Sequence, residues 1–181
     1  MIKNIGFAIM LISLPALASI STYLNKSSPT FISADNRKLE NDFFGLVVVT
    51  PSNEWEREWE TSSDAIPNFK EVEHVSLGQQ LSILTFFANP KADSNNNVNV
   101  ICSLKVTRPN KTISVDEKSI SCLSGTLQGT ATNIRLSPGI LKFVAEKSDP
   151  SGLWLVEVTI EDKNRKTTLK MHTQFQFTGE N

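Results

Sequence analysis

Histidine and cysteine are scarce in this chain, two of each in 181 residues. With His74 and His172 alone, few general bases are on offer. A Ser-His-Asp site needs an imidazole held by a carboxylate beside a nucleophile, and no G-x-S-x-G elbow is present to supply one. There is no H-E-x-x-H and no glycine-rich phosphate loop followed by lysine. His172 follows Met171 on an expected strand and should face away from the core. His74 lies among Glu71, Glu73 and Val75 at an expected edge, so both read as surface imidazoles. Neither sign of charge dominates: 18 Lys and Arg stand against 19 Asp and Glu, a net charge of -1. That argues against nucleic acid as a partner, which calls for a concentrated basic surface. The hydrophobic fraction of 39% is ordinary for a globular domain with a core. It excludes a collagen-like rod and a wholly disordered chain.

No apolar run reaches the roughly 20 residues needed to span a bilayer. The longest at the start is Ile5 to Leu17, interrupted by Pro15 and followed by Ser19, Ser21 and Thr22. Lys3 precedes it, and Ala16-Leu17-Ala18 places small residues where a signal peptidase reads. The pattern predicts a secretory signal peptide over 1–18. The mature product is then periplasmic or secreted, with no stable membrane span. Residues 19–41, rich in Ser, Asn, Lys and Thr, read as a flexible lead-in.

In an oxidising compartment Cys102 and Cys122 are able to pair. Cys102 shares the face of Val98, Val100, Leu104 and Val106 in an alternating stretch. A bridge across so short a segment would contribute about 3 kcal/mol; the alternative is two separate buried thiols. No CxxC or neighbouring histidine suggests a metal or catalytic role.

Most of the chain reads as short strands. Phe43 to Thr50 is apolar and β-branched. Leu81 to Ala88, Val98 to Thr107, Thr112 to Asp116, Ile120 to Leu123, Ile140 to Val144, Leu153 to Ile160 and Thr168 to Phe177 follow, separated by turn residues. One short helix is expected near 52–60, where Asn53 and Glu56 make a capping-box pattern. The expectation is an all-β fold: a single antiparallel sandwich of about seven strands over 42–178.

The helix carries the best candidate binding residues: Trp55, Trp59, Glu56 and Arg57. Trp55 and Trp59 are four apart and share a helical face. They read either as a stacking platform for a sugar or partner, or as a plug completing the core. Between 54 and 73 seven acids face Arg57 and Lys70 only. This is either a solvated helix face or an acidic patch for a cationic partner. The loop from Asp93 to Asn97 has oxygen donors at alternate positions. It lacks the glycine and the final glutamate of a calcium loop, so it reads as a polar turn. No metal or cofactor is expected.

The stretch from Asp149 to Asp162 (DPSGLWLVEVTIED) resembles the penultimate strand of immunoglobulin-like and fibronectin-III-like domains of bacterial exported proteins. The resemblance implies an immunoglobulin-like sandwich, with Trp154 standing where many such domains have a corner tyrosine. An indole is a donor only, a departure from the hydroxyl. The two cysteines are closer in sequence than the inter-sheet pair of antibody domains, so that bridge is not carried over. The WEREW stretch and Phe86-Phe-Ala-Asn-Pro90 resemble a group of exported bacterial proteins. Such folds do not fix a function. The first expectation is a non-catalytic exported module, binding or structural, that contacts another envelope protein. A carbohydrate or small-ligand module using Trp55 and Trp59 comes second, and a hydrolase is remote.

Overall fold

A computed structural model describes residues 34–51, 54–61 and 69–179. The signal-peptide reading over 1–18 lies outside these residues, as do Asn53 of the capping box and positions 19–33 of the lead-in. The described residues are almost wholly β, in two five-stranded sheets. The first contains β1 (Arg37–Glu40), β2 (Phe43–Pro51), β4 (Gln80–Ala88), β7 (Arg135–Leu136) and β8 (Leu141–Val144). The second runs in the order β3 (His74–Ser76), β10 (Thr167–Thr178), β9 (Gly152–Asp162), β5 (Asn97–Thr107) and β6 (Ile113–Thr126). One helix, α1, spans Trp55–Thr61. The connections are those of an immunoglobulin-type sandwich: β5 lies between β9 and β6, β9 between β5 and β10, and β4 pairs with β8 across the other sheet.

Side-chain alternation builds the inter-sheet core. Val100, Cys102, Leu104 and Val106 of β5 and Trp154, Val156, Val158 and Ile160 of β9 point inward at period two. They meet Phe43, Val47 and Val49 of β2 and Leu81, Ile83 and Phe87 of β4. The run FFGLVVV shows no alternation because both faces of β2 are covered. Phe44, Leu46 and Val48 point the other way, into a second cluster with Leu84 and Phe86. Gly45 packs closely against β10: a Cβ there would lie 2.8 Å from Cε of Met171, whose side chain would have to shift.

Three features depart from the sequence expectation. Ten strands are present among the described residues rather than about seven, because β1, β3 and β7 are only two to four residues long. Such pieces are too short to show a period. Conversely, 112–116 and 120–123 belong to one strand, β6, which carries bulges in its pairing with β5. The lead-in is also shorter than 19–41. Residues 34–36 form a 3-10 turn and β1 pairs with β2, while Asn36 is buried and donates to the Val47 carbonyl at 3.3 Å. Finally, β3 pairs with β10 in parallel. Segment 70–73 first runs beside β2, with Val72 N–H donating to Val49 at 2.9 Å, then crosses to the edge of the second sheet.

Candidate binding surface around the short helix

The outer face of β2 and β4 is apolar and must be covered. Helix α1 covers part of it. Trp55 and Trp59 do share a face, as their spacing predicts, and that face is turned inward. Trp55 is only 5% exposed, and the Trp59 ring lies 5.3 Å from Phe86. Phe69 stacks on the same Phe86 at 5.6 Å. The pair is therefore no open stacking platform; the indoles fasten the helix to the sheet. A buried indole removes roughly 150–250 Å² from water, which outweighs any helix propensity in seven residues.

The other candidates on α1 point outward. Glu56 and Arg57 are exposed, Arg57 reaching Glu54 at 3.3 Å and Lys142 of β8 reaching Glu56 at 3.4 Å. Glu60 is exposed as well. Exposed pairs of this kind contribute at most about 1 kcal/mol, so the face remains a mainly acidic display on a firmly seated helix.

Beside α1 lies an open cleft of about 490 Å³. Trp55 and Glu58 line it from the helix, Glu54 from the residue before it, and Lys70, Gln79 and Gln80 from the chain around β3 and β4. Thr50 at the end of β2 fixes the position of Lys70, its hydroxyl donating to the Lys70 carbonyl at 2.7 Å. The turn before β4 is held by Gln79 N–H on the Ser76 carbonyl at 3.0 Å and by Ser76 N–H on Gln79 Oε1 at 3.1 Å. Two buried polar atoms here have no hydrogen-bond partner among the described residues: Trp55 Nε1 and Ser82 Oγ. A smaller recess of about 330 Å³ shares Pro51, Lys70 and Gln79 and continues to Glu71, Glu73 and His74. Burial pushes the Glu71 carboxyl above its usual range, Arg37 opposes this, and the Glu73 carboxylate adds to it. Sequence reasoning missed Gln79, Gln80 and the role of Lys70, because three separate elements bring them together and no motif marks them.

The remaining candidates sit apart. His74 is exposed on β3. His172 Nε2 lies 3.3 Å from Asp35 Oδ2, both about half exposed. Asp93 Oδ1 accepts from Asn95 N–H and Asn97 N–H at 2.8 Å each, so its carboxylate closes its own turn. Among the described residues no three His, Cys, Asp or Glu side chains group as metal ligands.

Cys102 and Cys122 form a disulfide with Cα atoms 5.8 Å apart. It joins neighbouring strands β5 and β6 within one sheet, unlike the inter-sheet bridge of antibody domains. Val100 faces Leu123 and Ile101 faces Ser121, so Cys122 is the extra residue of a bulge. Its sulfur lies 3.0 Å from Ser137 Oγ.

No protein-family model matches the sequence, and no curated protein matches it. Solved structures do. One is a family 123 glycoside hydrolase from Clostridium perfringens, at 9% identity and a TM-score of 0.42, over 75% of this chain and 28% of that one. This chain thus spans little more than a quarter of that enzyme's length. Another is the C-terminal domain of wzt, at 11% identity and a TM-score of 0.43, over 85% and 84% of the two chains. A chitin binding domain from Burkholderia pseudomallei matches at 11% identity and a TM-score of 0.34, over 82% and 83%. At these values the site rests on this chain's own residues.

Proposed function

We propose that this chain is an exported, non-catalytic binding module that docks a cationic surface of another envelope protein through the outer face of α1. The observation that carries this reading is the opposite fate of the two helix faces. Trp55 and Trp59 anchor the helix on Phe86 and its neighbours, while Glu56 and Glu60 project into solvent. A rigidly mounted acidic face loses little conformational entropy on docking, and its charge steers a cationic partner.

Export is supported by the apolar start with its A-x-A sequence and by the disulfide. No helix among the described residues is long and apolar enough to cross a membrane. The test is affinity capture from envelope extract with wild-type protein and with the double variant Glu56→Lys, Glu60→Lys. The reading expects a partner retained at low salt, released at high salt and lost by the variant. Equal retention by both proteins contradicts it.

A further inference from the structure

We infer that Asn110, at the tip of the β5–β6 hairpin, is a modification site: an acceptor for an N-linked glycan. Asn110-Lys111-Thr112 is an N-x-[ST] tripeptide with no proline at its centre. No other asparagine among the described residues has a serine or threonine two places on. Such a tripeptide is usable only on an exposed surface of an exported chain. Export belongs to the reading proposed above; exposure is a property of the hairpin.

Asn110, Lys111 and Thr112 are all exposed. Arg108 N–H donates to the Thr112 carbonyl and Lys111 N–H to the Arg108 carbonyl, each at 2.8 Å. Lys111 takes a left-handed backbone, φ 66°, which completes a three-residue hairpin loop. The base of the loop is firm, with Arg108 Nη1 donating to the Ile113 carbonyl at 2.8 Å. The Asn110 amide is oriented by its own tripeptide. Its Oδ1 accepts from Thr112 N–H at 3.1 Å and from the Thr112 hydroxyl at 2.7 Å. A backbone N–H only donates, so the amide atom facing it is oxygen. Nδ2 lies at the other end of the planar group, and no hydrogen bond from it to the described residues stands in the way.

The donor class is an oligosaccharide carried on a lipid diphosphate and delivered by a membrane-bound transferase. Nδ2 bonds to the anomeric carbon of the first sugar. The bond from that carbon to the phosphate oxygen breaks, and the lipid diphosphate leaves with its electron pair. Nδ2 gives up one proton to a base of the transferase, and nothing is oxidised or reduced. The tip belongs to the second sheet, whereas α1 packs on the first, so the glycan and the acidic helix face occupy different sheets.

The test is mass analysis of the full chain recovered from its source cells, with peptide mapping of the β5–β6 hairpin and of the amino terminus. We expect a sugar mass increment on the peptide that contains Asn110. Asn110→Gln and Thr112→Ala should each abolish it, and Thr112→Ser should keep it. The last variant separates acceptor chemistry from turn stability, and thermal midpoints show that each variant folds. A chain that begins after residue 18 with Asn110 unmodified overturns this proposal alone. A chain that retains residues 1–18 with Asn110 unmodified overturns the export reading with it. An increment that survives Thr112→Ala, or one confined to Asn25, also overturns the assignment.

Discussion

Trp154 donates its indole N–H to the Pro150 carbonyl at 3.2 Å, closing the turn that feeds β9. In immunoglobulin-type domains a tyrosine hydroxyl near the start of the equivalent strand bonds backbone a few residues upstream. Here the same contact needs only a donor, which an indole supplies. The ring is wholly buried, stacks on Phe175 at 5.9 Å, meets Phe143 at 4.9 Å and lies 5.7 Å from the Arg108 guanidinium carbon. Trp154→Phe removes the bond and part of the packing, with an expected loss of about 2–3 kcal/mol. Trp154→Ala costs about 3–5 kcal/mol. Urea unfolding of the three proteins measures both values.

A second fastening lies at the β9–β10 turn. Asp162 is fully buried, and its carboxylate accepts from Lys91 N–H at 2.7 Å and from Asn164 N–H and Arg165 N–H at 3.1 Å each. Arg165 Nε lies 3.4 Å from the same carboxylate, and its guanidinium donates onward to the Asn41 and Asn89 carbonyls. One ion pair thus ties three loops together. Asp162→Asn leaves the guanidinium largely buried beside a neutral group, and the expected cost is about 3 kcal/mol or more. A urea midpoint close to wild type would refute this.

The Cys102–Cys122 bridge closes a segment with a sequence separation of 20. Its removal in Cys102→Ala, Cys122→Ala should cost about 3 kcal/mol. Treating the wild type with reductant should lower its midpoint by a comparable amount. Mass spectrometry of the untreated protein should show no free thiol.

Glu71 provides a pH signature. Desolvation by the surrounding chain raises its folded pKa above the unfolded value although part of the side chain stays exposed, so the folded state holds the proton more tightly. The stability this confers is present below about pH 4.3, the ordinary glutamate value, and is lost as pH rises through the folded pKa. Glu71→Gln should therefore raise the thermal midpoint at pH 7, with the gain shrinking towards zero at pH 4. An unchanged midpoint at both pH values would contradict the assignment.

The fold was legible wherever one face of a strand is buried. The valines of β5 and β9 alternate because only one side meets the core. The helix was legible from Trp55 and Trp59 at spacing four, but its orientation was not: spacing says that two side chains share a face, and only the apolar outer side of β2 and β4 decides which way that face turns. β3 is held by pairing with the distant β10, and β1 is only four residues long, so local pattern carries no trace of them. The cleft was illegible for a related reason. Lys70, Gln80 and Glu58 are ordinary polar residues in sequence and acquire meaning only when three elements converge.

The central claim is that the two faces of α1 have different tasks, inward anchoring and outward docking. The most direct measurement is salt-dependent capture of an envelope partner by the wild type, by Glu56→Lys, Glu60→Lys and by a Glu117→Lys control on β6. The account predicts loss of the partner with the helix variant alone, at unchanged thermal stability. Retention by the helix variant, or equal loss with the β6 control, would contradict it.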